Sequence, residues 1–229
     1  MRLYSYVVTY DTGFAPNPFF GCCTLACCKP VIRRTAKKDD WIVGLTPKAK
    51  GKGNKVLYYM RVDDVVESFA DYWRAQRFQC KIPLWKSDEI RERCGDNIYE
   101  PKAIATDGYH QHPSMHSKVE NQENADTKKR DLSCIRVLVS ETFAYFGLSA
   151  RDLPPKLEYL KVGRGHKCKF TDDEINTFVR FTKENGFGIF DAPSEWPQED
   201  DSYQKDQNCI VGTPNCSCLS TSSIMKSCK

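Results

Sequence analysis

With 229 residues, 40% of them hydrophobic and 12% aromatic, the chain fits one domain with its own core, so neither disulfides nor a metal is required to hold it. No apolar run approaches the roughly 18–20 residues that cross a bilayer, and the opening MRLYSYVVTYDTG lacks the charged and apolar regions of a signal peptide, so a cytoplasmic protein with no membrane partner is expected. Twelve cysteines then read as reduced thiols, and a net charge of +4 does not by itself argue for nucleic acid.

Leu3–Tyr10 alternates with β-branched and aromatic residues and predicts a strand. The Pro/Gly/Asn-rich stretch Asp11–Gly21 excludes regular helix. Thr24–Arg34 reads as helical up to Pro30, or as an irregular crossing. Trp41–Leu45 and Val56–Val62 read as strands joined by the basic loop TPKAKGKGNK. Val65, Val66, Phe69, Tyr72 and Trp73 fall at helical spacing, which predicts a helix over Asp64–Ala75. Phe78–Thr127 reads mostly as loop, and its polar end VENQENADTKKRD as a mobile segment. Ile135–Ser140 and Phe143–Phe146 read as short strands. Thr171–Asn185 is a helix with a Thr171/Glu174 capping box, the buried stripe Ile175, Phe178 and Val179, and Gly186 as its stop. The composition turns polar after Trp196, which sets a domain over 1–197 and a loosely attached tail over 198–229.

Five segments are candidates for chemistry. Phe14, Phe19 and Phe20, on a backbone fixed by prolines, suit stacking on a base, with Asp11 and Asn17 as edge readers; the same loop also suits a lid on the core. Lys29, Arg33 and the lysines up to Lys55 make a basic stretch of the kind that meets phosphates, or a solvated loop. CCTLACCKP suggests zinc but lacks a well-spaced second pair, so buried thiols fit better; a catalytic cysteine activated by Lys29 and Arg33 is a further reading. His110, His112 and His116 have a spacing that an ordered loop can turn to metal binding, against the plainer reading of a solvated loop. GRGHKCK sets Arg164 between two glycines, with His166 and Lys167 after them, just before the capped helix, where an anion is favoured; the plainer reading is a basic turn. No Walker A motif or cofactor fingerprint is present, so no cofactor is expected.

The run SYVVTYDTGFAPNPFFGCCTLACCKPVIR, followed by DDWIVGL, VLYYMRV, GDNIY, FAYFG and GRGHK, resembles the nucleotide modification associated domain 2 family from about Arg2 to Trp196. The matching positions include Asp11, Phe14, Asn17, Lys29, Arg33, Trp41, Arg164, His166 and Lys167; the doubled cysteines and the insert Lys48–Lys55 look peculiar to this chain. The order of elements is also similar to that of EVE and ASCH domains, of the PUA-like group, whose small barrels hold a base in an aromatic pocket. These resemblances imply an α+β fold, either a small twisted β-barrel or a curved mixed sheet, flanked by two or three helices. They imply a partner that is nucleic acid or a nucleotide with a modified base, in a phage or bacterial modification or defence system. In that reading Phe14 and Trp41 stack, Asp11 and Asn17 read the base, and Lys29, Arg33, Arg164 and Lys167 hold phosphate. The alternative is a hydrolase or transferase acting on a nucleobase or nucleotide, with Asp11 as base and His166 as acid.

Overall fold

The structure is a computed structural model that describes residues 1–48, 54–117 and 122–196; the expected tail lies outside the described residues, as does part of the basic loop. Its first strand, β1 (Leu3–Val7), is where the alternating segment predicts it, and runs parallel to β3 (Trp41–Leu45). β3 pairs antiparallel with β4 (Val56–Arg61), and β4 antiparallel with β9 (Phe143–Tyr145). Two-residue strands, β10 (His166–Lys167) beside β1 and β11 (Gly188–Ile189) beside β9, complete a mixed sheet in the order β10-β1-β3-β4-β9-β11. The sheet stays open: β10 and β11 are its two edges, so of the two expected architectures the mixed sheet is present and a closed barrel is not, among the described residues.

A second sheet, β2-β8-β5, covers one face of the first. It consists of β2 (Cys23–Leu25), β5 (Asp64–Val66) and β8 (Val137–Ser140). Side chains alternate across it with the two-residue period of a strand. Leu138 and Leu25 point at Tyr6, Tyr58 and Tyr145 of the large sheet, while Val137 and Val139 point away, towards Phe69, Tyr72 and Tyr99. Phe69 and Tyr72 belong to α2 (Phe69–Arg74), and Tyr99 to a hairpin of β6 (Tyr99–Pro101) and β7 (Tyr109–Gln111). The opposite face of the large sheet, carrying Leu3, Trp41, Val43 and Tyr59, packs on α5 (Asp172–Asn185) through Ile175, Phe178 and Phe181. The helix α5 has the expected capping box, and Gly186 ends it at φ 78°.

Three expectations are corrected. The predicted helix over Asp64–Ala75 is two elements: Val65 and Val66 pair with β8, and α2 begins only after Ser68, whose hydroxyl accepts from the Asp71 amide. Thr24–Arg34 is not a helix running into Pro30. It contains strand β2 and then α1 (Pro30–Thr35), because proline lacks an amide proton and is tolerated in the first turn of a helix. Finally, the polar segment read as mobile contains α4 (Ala125–Leu132), capped by the Asn124 side chain. No helix among the described residues is long and apolar enough to cross a membrane.

Candidate functional site

Where β2 ends, the chain turns sharply. Cys28 (φ 60°) and Lys29 (φ 41°) are both left-handed, a conformation that non-glycine residues adopt at a cost, before Pro30 starts α1. This turn holds the Cys28 side chain, half-buried, against a loop that follows β7. There the Cys28 Sγ lies 3.3 Å from Nε2 of His116. The other ring nitrogen, Nδ1, lies 2.7 Å from Oδ2 of Asp131, in the last turn of α4. A thiol, an imidazole and a carboxylate are thus joined in a line, the arrangement by which a base activates a nucleophile and a third group orients the base.

The surroundings fix each member. Asp131 is fully buried; its Oδ1 accepts the Cys28 amide at 2.9 Å, and its Oδ2 also accepts the Tyr99 hydroxyl at 2.9 Å. Gln111 in turn donates to the Tyr99 oxygen at 3.2 Å. Thr127 of α4 donates to the His116 carbonyl, and the Phe14 ring packs edge-on against the imidazole, centroids 4.7 Å apart. Beneath them the guanidinium of Arg33, with no exposed surface, donates to the carbonyls of Cys28 (2.8 Å), Asp131 (2.9 Å), Arg136 (2.9 Å) and Cys134. One side chain therefore ties the residue of the thiol to the residue of the carboxylate.

The electrostatics follow from these contacts. Burial alone would lower the His116 pKa, but its hydrogen bonds to Asp131 and Cys28, with the charges of both, outweigh this and raise it to about 9. Burial would raise Asp131, yet the His116 hydrogen bond and charge, the Cys28 amide and Arg33 hold it below the usual carboxylate range. At neutral pH the imidazole is consequently protonated, and its Nε2–H points at the sulfur. Neighbouring Cys27 differs: it is fully buried, and burial pushes its thiol far above the ordinary value. Cys27, His116 and Asp131 do place one ligand atom each within 4.8 Å of one another, the only such group of three among the described residues.

The other expected site residues are placed as follows. Asp11 is buried and accepts from the Tyr145 hydroxyl and the Ser194 amide, beside a small cavity lined also by Val8, Thr46 and Leu57. Asn17 is fully buried, donating to the Gly13 and Cys94 carbonyls and accepting from the buried ammonium of Lys81 at 2.6 Å. Trp41 packs edge-on against Phe178 and Tyr59, on the sheet face opposite Tyr6. His166 pairs with Tyr6 at the β10 edge, Lys167 donates to the Tyr159 carbonyl, and Arg164 is exposed in the preceding turn. Of the metal candidates, His110 pairs with Glu123 and His112 with Glu100, while His116 stands apart with Asp131. Of the residues expected to share a pocket, Asp11 is anchored at Tyr145 of β9, His166 lies on the edge strand β10, and Trp41 packs on the sheet face opposite Tyr6.

Sequence reasoning touches Cys28 and His116 singly and misses Asp131 altogether. The available signal was a cysteine with a histidine and an aspartate elsewhere in the chain, and twelve cysteines dilute it.

A family model described as nucleotide modification associated domain 2 matches residues 1–200. Comparison with curated proteins and with solved structures gave no match.

Proposed function

We propose that this chain, which belongs to the nucleotide modification associated domain 2 family, is a thiol-dependent hydrolase or transferase acting on an acyl or amide group of a modified nucleotide. The observation that carries the reading is the Cys28–His116–Asp131 line, with its 3.3 and 2.7 Å links. A left-handed backbone at Cys28 supports it, because such strain gathers where a side chain must be presented in one direction.

The chemistry follows from the proton positions. The Cys28 sulfur, its proton passed to Nε2 of His116, attacks the carbonyl carbon of the substrate as the thiolate and opens the C=O to a tetrahedral adduct. Collapse of the tetrahedral adduct breaks the bond to the leaving amine or alcohol, which takes the Nε2 proton of His116, and leaves a thioester on Cys28. Neutral His116 then removes a proton from water or an acceptor amine, which attacks the thioester and releases the sulfur. Asp131 holds the ring and balances its charge throughout. Phe14 is the member of the expected base-binding set that borders this centre, as an apolar wall against His116. The description of the family, nucleotide modification associated, is what supports a nucleotide as the substrate class, with a modified base as the group on which such a substituent would be carried.

Mass-spectrometric mapping tests the reading. Limiting iodoacetamide at neutral pH is expected to label Cys28 ahead of the other cysteines, and an acyl ester such as p-nitrophenyl acetate to leave an adduct there. Cys28→Ala should abolish the adduct, and His116→Gln should slow it about 100-fold, the usual scale of a lost acid–base group. Uniform labelling of all exposed cysteines, with none favoured at Cys28, would overturn the assignment. A pure reader of modified bases would instead keep its affinity in Cys28→Ala and form no adduct.

A further inference from the structure

Cys27 is the member of the cluster around His116 that the thioester chemistry leaves unused. Its sulfur, a His116 ring nitrogen and an Asp131 carboxylate oxygen lie within 4.8 Å of one another. The nitrogen that faces the carboxylate is Nδ1, 2.7 Å from Oδ2. Bonds of about 2.3 Å to sulfur and about 2.0–2.2 Å to nitrogen and oxygen set tetrahedral zinc ligands roughly 3.4–3.6 Å apart. The cluster therefore closes on such a cation by side-chain shifts of about an ångström. The Cys27 thiol is free to make one, because its present contact is weak, 3.7 Å to the Asp96 carbonyl. The carboxylate is already oriented by the Tyr99 hydroxyl and the Cys28 amide, the outer-shell support that metal ligands carry. Nearby basic groups are engaged elsewhere: Arg33 spends its donors on carbonyls, and the Lys29 ammonium lies 4.5 Å from the centre of the Tyr6 ring. The imidazole side chain, 12% exposed, is the side from which a cation enters.

A thiolate, an imidazole and a carboxylate make a mixed sulfur, nitrogen and oxygen set, which suits zinc and not the oxygen-seeking magnesium or calcium. We infer that Cys27 Sγ, His116 Nδ1 and an Asp131 oxygen form a zinc site, three protein ligands with a fourth position for water, and that filling it silences Cys28. On binding, the Cys27 thiol proton and the Nδ1 proton leave to solvent, and the charge of the cation offsets the cost of a buried thiolate. The remaining ring proton is then confined to Nε2, which faces the Cys28 sulfur. His116 keeps no lone pair with which to take a proton from that thiol, or from the water that opens the thioester. The site stands independently of the proposed chemistry, and the silencing rests on it.

The test titrates cobalt(II), which takes the place of zinc and reports thiolate ligation through a near-ultraviolet charge-transfer band, into the full chain with its thiols reduced. Other cysteines of the chain also bind such ions, so the readout is the difference between variants. Wild type and Cys28→Ala should share a tight equivalent that Cys27→Ala and His116→Gln lose, with affinity down about 100-fold or more, at least the 10–100-fold of a lost outer-shell partner. Elemental analysis after dialysis against zinc chloride should find one zinc fewer per chain in the same two variants. His116→Gln alters a partly exposed residue, so the test stands if Cys27→Ala folds poorly. A band lost in Cys28→Ala but kept in Cys27→Ala would move the ion to the other sulfur and overturn the assignment, as would equal binding in all four proteins. Zinc chloride should also slow acylation of Cys28 by p-nitrophenyl acetate about 100-fold in the wild type, the scale of a lost acid–base group. A chelator should restore the rate, and Cys27→Ala should be insensitive to zinc. A rate indifferent to bound zinc overturns the silencing. A Cys28 unreactive in the metal-free protein overturns the nucleophile and leaves the zinc site standing.

Discussion

His116 carries the pH dependence at the scale of single residues. Its folded pKa, about 9, lies above the ordinary value near 6.5, so the stability it contributes is fully present below about 6.5 and is lost as the pH rises through 9. Asp131 works in the opposite sense: held below the ordinary carboxylate range, it contributes above about 4, and that contribution is lost on acidification. The pair is consequently most stabilising between about pH 4 and 6.5. Urea midpoints of the wild type, less those of His116→Gln, should show a plateau in this window and a decline towards pH 9. A difference that is flat from pH 5 to 10 would show that the imidazole is not held protonated. Arg33 illustrates the cost of misreading a charge from sequence: an arginine expected to meet phosphate spends its donors on four carbonyls inside the protein.

Among the elements, α5 is specified locally and can be weakened locally. The Thr171 hydroxyl accepts from the Glu174 amide, and the Glu174 carboxylate accepts from the Thr171 amide at 2.8 Å. Thr171→Ala should cost about 1 kcal/mol, which lowers the melting temperature by roughly 2–4 °C in a domain of this size. Differential scanning calorimetry resolves that shift, and an unchanged midpoint would mean that the packing of Phe178 and Phe181 alone fixes the helix. α4 is the contrary case. The sequence ADTKKRDL shows no apolar stripe of the usual kind. What orders it is tertiary: the Asn124 cap, the ion pairs of Lys128 with Asp107 and Glu123, and the seat of Asp131 beneath Cys28 and Tyr99. The stretch around Val65 shows a third pattern, in which helical spacing is real but β-branched valines find a strand partner first.

Over the whole molecule, the last described residues close over the first loop. The Trp196 indole stacks on Phe19 at 5.4 Å and donates to the Thr12 carbonyl at 2.8 Å, while the Ser194 amide reaches the carboxylate of Asp11. The segment Ser194–Trp196 and the loop that opens at Asp11 thus hold each other, and Phe19, in the loop expected to read bases, is covered by this contact. Trp196→Ala should therefore cost about 3–5 kcal/mol, a fall of roughly 6–20 °C in melting temperature. A fall below about 3 °C would show that the loop is held by Lys81 and Asn17 without the closing segment.

Local signals set part of this architecture, because their partners lie within a few residues of one another. The alternation of Leu3–Tyr10, the strands at Trp41 and Val56, the capping box of α5 and its glycine stop are all of that kind, and all are present, the first strand over the shorter span Leu3–Val7. So is the family, whose motifs are strings of adjacent residues. The candidate site is not of that kind. Cys28 and His116 are 88 residues apart in sequence, and Asp131 is 15 further on, in a segment too polar to predict as helix. Only the packing of the β6–β7 hairpin and α4 against the far side of β2-β8-β5 brings them together. Such contacts depend on which elements bury which faces, a cooperative outcome that no local window of sequence contains.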